Sequence, residues 1–276
     1  MGSIDVGGAS AASADEYERY LQEKQYSRRG VLKYEAIFGS GFISTGGLET
    51  TREITKHMQL KPGQRVLDVG CGIGGGDSFI HETYGADVLG IDLTSTCIDI
   101  AQERYKGTPS GQLEFRKADV MTLELPASSV DVIYSRDAIL HIEPKLALFR
   151  RFCEWLKPGG RVVITDYCCG GPPHTWTEEF RSYIADRQYF LLTVDEYARV
   201  LQQAGLTVET SRDMSADFTS VLTRELALLE GKREAFFAEG FSQADYDDLR
   251  EGWQKKLDRV AAGVQTWGLF VATKPH

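Results

Sequence analysis

Three acidic residues and a run of glycines carry the first chemical signal in this chain. Arg65-Val66-Leu67-Asp68-Val69-Gly70-Cys71-Gly72-Ile73-Gly74-Gly75-Gly76 reads as a short apolar strand turning tightly into a helix. Glycine allows positive φ in such a turn and lets a ligand approach bare backbone, while the helix behind it offers unpaired N–H groups. Gly70, Gly72 and Gly75 fit G-x-G-x-x-G, which by itself is a weak signal for a dinucleotide. Asp68, two positions before the first glycine, changes the ligand that fits. A carboxylate there suits a cation beside a nucleoside, such as the sulfonium and α-ammonium of S-adenosylmethionine, and does not suit a pyrophosphate. Asp92, at the end of the next apolar run, can accept both ribose hydroxyls. Asp119, at the end of the third, can accept an adenine amino group. Each Asp alone also reads as a turn former or helix cap; together with the glycines they make a more specific set.

A second group follows the fourth apolar run, in Ser135-Arg136-Asp137-Ala138-Ile139-Leu140-His141. An unperturbed imidazole titrates near pH 6.5, so His141 can exchange protons at working pH. Asp137 lies four positions earlier, and the two share a face if the segment forms one helical turn. The plain alternative is a surface histidine with a capping aspartate. Tyr167, Tyr183, Arg187 and Tyr189 form a third group, whose phenols and forked guanidinium suit a phosphate or carboxylate. An aromatic mini-core under a loop, with Arg187 solvated, accounts for them equally well. Lys255 and Lys256 read as the solvated face of the last helix.

The elements that must position these groups alternate along the chain. Helices are expected over residues 14–25, with Tyr17, Tyr20 and Leu21 on one face, and over 31–38 and 48–58. Gly39, Gly41, Gly46 and Gly47 bracket Phe42-Ile43-Ser44-Thr45 as a flexible link. Strands are expected over 66–69, 88–91, 113–117, 130–134 and 161–165, interleaved with helices over 77–84, 95–105 (capped by Thr94 or Ser95) and 144–156. This order implies a parallel sheet with helices on both faces, and ligands at the carboxyl ends of its strands. Residues 168–192 interrupt the rhythm with Gly170-Gly171-Pro172-Pro173 and the aromatic cluster, as substrate loops and lids do. A helix over 194–204, an extended run over 208–213, helices over 220–239 and 243–262 and a strand over 265–273 complete the chain.

Composition narrows the function classes. The formal net charge of −9 disfavours reading a phosphate backbone, so no nucleic-acid partner is expected. Cys71, Cys97, Cys153, Cys168 and Cys169 are scattered with no C-x-x-C pairing, which suits a reduced, cytoplasmic protein without a disulfide framework or metal site. No apolar run reaches membrane-spanning length, and residues 1–13 read as a disordered tail, not a secretory signal. With no long coiled-coil pattern, a monomer is expected.

The run from Asp68 to Gly75 resembles motif I of class I S-adenosylmethionine-dependent methyltransferases. Residues from about 20 to 274 are similar to the phosphoethanolamine N-methyltransferase family. That similarity is carried by Gln25-Tyr26, Gly30-Val31-Leu32-Lys33-Tyr34-Glu35, Ile43-Ser44-Thr45-Gly46-Gly47, Tyr134 to His141, Ile164-Thr165-Asp166-Tyr167-Cys168 and Trp267-Gly268-Leu269-Phe270. The resemblance implies an α/β, Rossmann-like class I methyltransferase fold with a mostly parallel seven-stranded sheet and an inserted lid. Its expected division is a helical cap over 14–50 and a core over 51–276 that includes the lid at 168–192. It implies S-adenosyl-L-methionine as cofactor, S-adenosyl-L-homocysteine as product, and a small phosphobase as substrate. The reaction implied is N-methylation of phosphoethanolamine or its mono- and dimethyl forms toward phosphocholine, for phosphatidylcholine synthesis. Plant and some animal relatives are larger than the single methyltransferase unit seen here.

By position, the resemblance makes Tyr26 and His141 a pair closing over the site and gives Asp137 the amine. Tyr167, Tyr183, Arg187, Tyr189 and Lys256 would hold the phosphate, with Gln25 and Tyr34 lining the pocket. Ile43, Ser44, Gly70, Asp92, Asp119 and Arg136 would bind the cofactor beside Asp68 and Gly72. An alkylammonium with a pKa of about 10, by analogy with lysine, has no lone pair at pH 7. His141, with Tyr26, would therefore accept or relay a proton while Asp137 orients the nitrogen. Other readings use the same residues: an N-methyltransferase for glycine or sarcosine, a sterol or quinone C-methyltransferase, a dinucleotide-dependent oxidoreductase, or a non-enzymatic module.

Overall fold

Period-two alternation decides which face each strand buries. In the computed structural model, which describes residues 14–109 and 111–276, the chain begins with helices α1 (Ala14–Lys24), α2 (Arg28–Phe38) and α3 (Gly47–Thr55). The tail expected over 1–13 lies outside the described residues. Then come β1 (Arg65–Val69), α4 (Gly75–Tyr84), β2 (Asp87–Asp92), α5 (Ser95–Tyr105), β3 (Leu113–Lys117), β4 (Val130–Arg136), α6 (Lys145–Trp155) and β5 (Leu156–Cys169). The last third holds α7 (Glu178–Arg187), α8 (Val194–Gln203), β6 (Thr207–Asp213), α9 (Ser215–Gly231), α10 (Arg233–Ala238), α11 (Gln243–Ala261) and β7 (Gln265–Thr273). Val66, Val132, Val163 and Leu269 face one hydrophobic layer, with α3, α4, α9 and α11 packed on it. Their neighbours Leu67, Ile133, Ile164 and Phe270 face the other, against α6 and α8. No helix among the described residues is long and apolar enough to cross a membrane.

The seven strands run in the order β3-β2-β1-β4-β5-β7-β6. All neighbours are parallel except β7, which is antiparallel to both β5 and β6. The strand order reverses between β1 and β4, so a crevice opens beyond their carboxyl ends, where Val69 leads into the glycines and Arg136 into Asp137. The N-terminal segment reaches that crevice by packing Val31, Tyr26 and Ile43 against Ile73, Cys97 and Ile100.

Four expectations change. The strand expected over 161–165 runs from Leu156 to Cys169, so Lys157-Pro158-Gly159-Gly160 lies within it; a register shift beside Val130 and Val132 absorbs the irregularity. Cys168 and Cys169 pair with Thr266 and Gln265, so the insertion begins in the sheet and its middle is α7. The helix expected over 220–239 is two, α9 and α10, broken at Lys232, whose backbone leaves the helical region. Residues 39–46 of the link have no regular structure but are tethered. Gly41 N–H donates to Glu35 Oε1 (2.7 Å), Thr45 N–H to Asp137 Oδ2 (3.2 Å) and Gly46 N–H to Glu225 Oε1 (2.7 Å).

Candidate active site

Two cavities lie side by side at the carboxyl ends of the parallel strands. The first, about 460 Å³, is lined by Asp68, Gly70, Gly72, Asp92, Asp119 and Arg136, with His141. The second, about 540 Å³, is lined by Gln25, Tyr34, Tyr167, Tyr183, Arg187, Tyr189 and Lys256. Tyr26, Ile43, Ser44 and Asp137 line both and form the wall between them. Every residue the resemblance assigns to the site therefore borders one cavity or the other, whereas Gly75 borders neither.

The first cavity is an acidic cradle. Gly70 has a φ of +83° and donates its N–H to Ile91 carbonyl (2.8 Å), which folds the loop back over β2. A side chain on Gly70 would place Cβ 2.3 Å from that of Ala138. Gly72 N–H donates to Asp92 Oδ2 (3.0 Å), and Thr94 donates to Asp92 Oδ1 through its N–H (2.9 Å) and its hydroxyl (2.8 Å). The Thr94 hydroxyl thus anchors Asp92 in place of capping α5. Asp119 Oδ1 accepts from Met121 N–H (2.8 Å) at the start of the turn after β3. Arg136 turns its guanidinium into the link, donating to Thr51 Oγ1 (2.7 Å), Gly47 carbonyl (3.3 Å) and Thr45 carbonyl; only its Nε lacks a partner.

Asp68 is buried, and its Oδ1 has no hydrogen-bond partner. Burial, then the charge of the neighbouring Asp77, holds its carboxyl well above the ordinary range. Asp77 is itself pushed up to about 7 by burial. Asp77 escaped the sequence reading because an acidic residue in the first turn of a helix ordinarily answers the helix dipole. A buried acceptor with a free oxygen calls for a cationic donor, so this cradle fits the α-ammonium of an S-adenosyl amino acid.

At the wall, Asp137 and His141 do not share a helical turn. Asp137 sits in the left-handed region at φ +52°, ahead of a short 3-10 turn over Ile139–His141. Its carboxylate accepts from Trp267 Nε1–H (2.8 Å), Thr165 Oγ1–H (3.3 Å) and Thr45 N–H (3.2 Å), and burial raises its pKa. Two phenols bracket the His141 imidazole: Tyr17 at Nδ1 (2.8 Å) and Tyr26 at Nε2 (3.5 Å). The Tyr189 ring meets it edge-on at 5.0 Å between centroids. Burial, then Lys145 and Arg187, pushes the imidazole down to about 3, so it is neutral at working pH. Tyr17, which the sequence offered only as part of a helix face, is the functional neighbour that periodicity alone could not reveal.

The second cavity is cationic and aromatic. Arg187 donates to Gln25 Oε1 (3.2 Å) and lies over the Tyr183 ring. Lys256 is not on a solvated face: its Nζ sits 4.1 Å from the Trp253 ring centroid and 5.7 Å from that of Tyr167, and burial lowers its pKa to about 8. The Tyr167 hydroxyl shares a hydrogen bond with Thr45 Oγ1 (2.8 Å). Arg259, unremarked in the sequence, is buried with its guanidinium 3.8 Å over Tyr183. Of the acidic residues on this lining, Glu179 pairs with Arg259, Glu251 with Lys255 and Asp248 with Lys33. Among the described residues, Arg187 and Lys256 form no salt bridge and remain available to an anion.

Comparison with known proteins agrees with this geometry. A family model described as a methyltransferase domain matches residues 66–160. The chain is 51% identical over 258 residues to phosphoethanolamine N-methyltransferase 1 of Triticum aestivum, covering 94% of this chain and 51% of that protein. It thus spans about half the length of the plant relatives it matches. It is 40% identical over 257 residues to phosphoethanolamine N-methyltransferase of Plasmodium falciparum, covering 92% of this chain and 95% of that protein. Phosphoethanolamine N-methyltransferase 2 of Haemonchus contortus, solved with phosphomonomethylethanolamine and S-adenosylhomocysteine, superposes with a TM-score of 0.90 at 35% identity. That match covers 94% of this chain and 60% of that one.

Proposed function

The chain belongs to the phosphoethanolamine N-methyltransferase family, and from that premise we propose that it methylates the nitrogen of phosphoethanolamine or its partly methylated forms. The observation that carries the reading is the shared wall: an acidic cradle and a cavity with two available cations meet at Tyr26, Ile43, Ser44 and Asp137. S-adenosylmethionine, when bound, supplies an electrophilic methyl on a sulfonium. Asp68 would take its α-ammonium, Asp92 its ribose hydroxyls and Asp119 its adenine amino group.

Arg187 and Lys256 would hold the phosphate of the substrate, with Tyr167, Tyr183 and Tyr189 donating phenol hydrogens and Gln25 and Tyr34 lining the pocket. A phosphomonoester dianion matches two cations; a carboxylate leaves one of them uncompensated, which disfavours glycine or sarcosine. Asp137 accepts a hydrogen bond from the substrate nitrogen and orients it along the wall. His141, neutral and held between phenols, offers the acceptor for the proton the nitrogen must shed. A phosphate against Arg187 offsets one of the two cations that hold the imidazole's pKa down, and so raises its proton affinity. Binding and activation thereby support each other. Residues 168–192 would close over the bound phosphobase as a lid, and residues 14–50 as a cap.

The test is turnover by the purified chain with S-adenosylmethionine and, separately, un-, mono- and dimethylated phosphobases and sarcosine. Methyl transfer to at least one phosphobase and none to sarcosine is expected. Turnover on sarcosine alone would overturn the assignment.

A further inference from the structure

One buried ammonium outside the two cavities joins their walls. Lys145, the first residue of α6, is 4% exposed, although a lysine after a proline at a helix start is ordinarily solvated. Its Nζ donates to three backbone carbonyls: Ile139 (3.0 Å), Ile142 (2.7 Å) and Phe190 (2.7 Å). The first two flank His141 in the 3-10 turn; the third follows Tyr189 on the return from α7. Phe190 N–H adds a bond to Leu140 carbonyl (2.8 Å), so two segments far apart in sequence are stitched at one point. Asp166, fully buried on β5 and bonded by Tyr197 hydroxyl (3.3 Å), favours the charged form of Lys145, but burial pushes its own carboxyl up to about 8, so the three carbonyls are what accommodate the ammonium. The geometry uses all three donors of an ammonium, and no neutral side chain of similar length has three.

We propose that Lys145 is a positioning residue: by bonding the carbonyls of Ile139, Ile142 and Phe190 it fixes the His141 imidazole relative to the Tyr189 phenol. His141 borders the first cavity and Tyr189 the second, so this bond set holds the proton acceptor in register with the phosphate-binding phenol. The kinetic part of the proposal rests on the function proposed above; the structural part does not.

The experiment compares the unaltered chain with Lys145→Met and Lys145→Arg. In Lys145→Met, kcat/KM for phosphoethanolamine is expected to fall about 10- to 100-fold, the range for losing charge-assisted hydrogen bonds. KM should rise, because Tyr189 loses its support, and kcat should fall with it. Lys145→Arg, which keeps charge and donors, should recover part of both. Hydrogen exchange should quicken in residues 139–142 and 188–192 while β1 and β4 stay protected, a pattern that general destabilisation does not give. A folded Lys145→Met with unchanged kcat, KM and exchange overturns the proposal. If that variant does not fold, exchange in the unaltered chain decides. Segments tied by one ammonium open together, so their slowest amides should have similar protection, and protection differing by more than about tenfold overturns the clamp. Exchange needs no substrate, so failure of the clamp is distinguishable from failure of the proposed reaction.

Discussion

At the scale of single residues, what a side chain does here follows from what surrounds it more than from its type. His141 and Asp137 were legible as reactive types, but their relation was not. Four positions apart implies one helical face, whereas the left-handed backbone at Asp137 sends its carboxylate to Trp267, Thr45 and Thr165 instead. Lys256 reads as solvated from its place on the last helix, only the resemblance assigns it to the phosphate, and the packing of Trp253 and Tyr167 beside it takes it off the solvated face. Asp68 gives the sharpest expectation. Its carboxyl is held well above its ordinary value by burial and then by Asp77. An ammonium bound there favours the ionised form and lowers that pKa, so binding releases a proton at pH values between the free and the bound pKa. Calorimetry of S-adenosylhomocysteine binding across a pH series, in two buffers of different ionisation heat at each pH, should report net proton release within that interval. Proton uptake, or none exchanged, would mean that Asp68 does not receive the ammonium.

At the scale of elements, periodicity revealed the strands and missed the tethers. Each strand overlaps a stretch expected to be extended, because most feed one of two hydrophobic layers, although β5 runs well beyond 161–165 and β6 is largely exposed. The 39–47 link gave no such signal: its order comes from long-range bonds to Asp137 and Glu225 that no local pattern encodes. It also meets the glycine loop, where Gly75 N–H donates to Gly41 carbonyl (3.0 Å), and a Cβ on Gly75 would stand 2.2 Å from that oxygen. Gly75→Ala must therefore push the link, with Ile43 and Ser44, off the first cavity. We expect a loss of about 1–3 kcal/mol in stability and weaker S-adenosylhomocysteine binding. Gly252→Ala, in α11 where a Cβ meets nothing within 4 Å, should instead gain up to about 1 kcal/mol. Paired thermal melts check both; equal effects of the two substitutions would show that the Gly41 contact does not hold the link.

At the scale of the whole molecule, the shared wall makes the two cavities thermodynamically dependent. Tyr26, Ile43, Ser44 and Asp137 face both, and the wall is assembled from distant parts of the chain: the α1–α2 junction, the 39–47 link and the end of β4. A ligand in the first cavity fixes that wall once, so a ligand in the second meets a surface already ordered. Positive coupling follows, and linkage requires it to be the same in both directions. Phosphoethanolamine should bind about tenfold tighter when S-adenosylhomocysteine is present, and S-adenosylhomocysteine should tighten by the same factor with phosphoethanolamine present. Calorimetric titrations in both orders measure the two factors independently. Because Arg187 and Lys256 lie beyond the wall, Arg187→Ala should weaken phosphoethanolamine binding yet leave the affinity for S-adenosylhomocysteine alone unchanged. If each ligand bound with the same affinity whether or not the other was present, the four residues would line two sites without joining them.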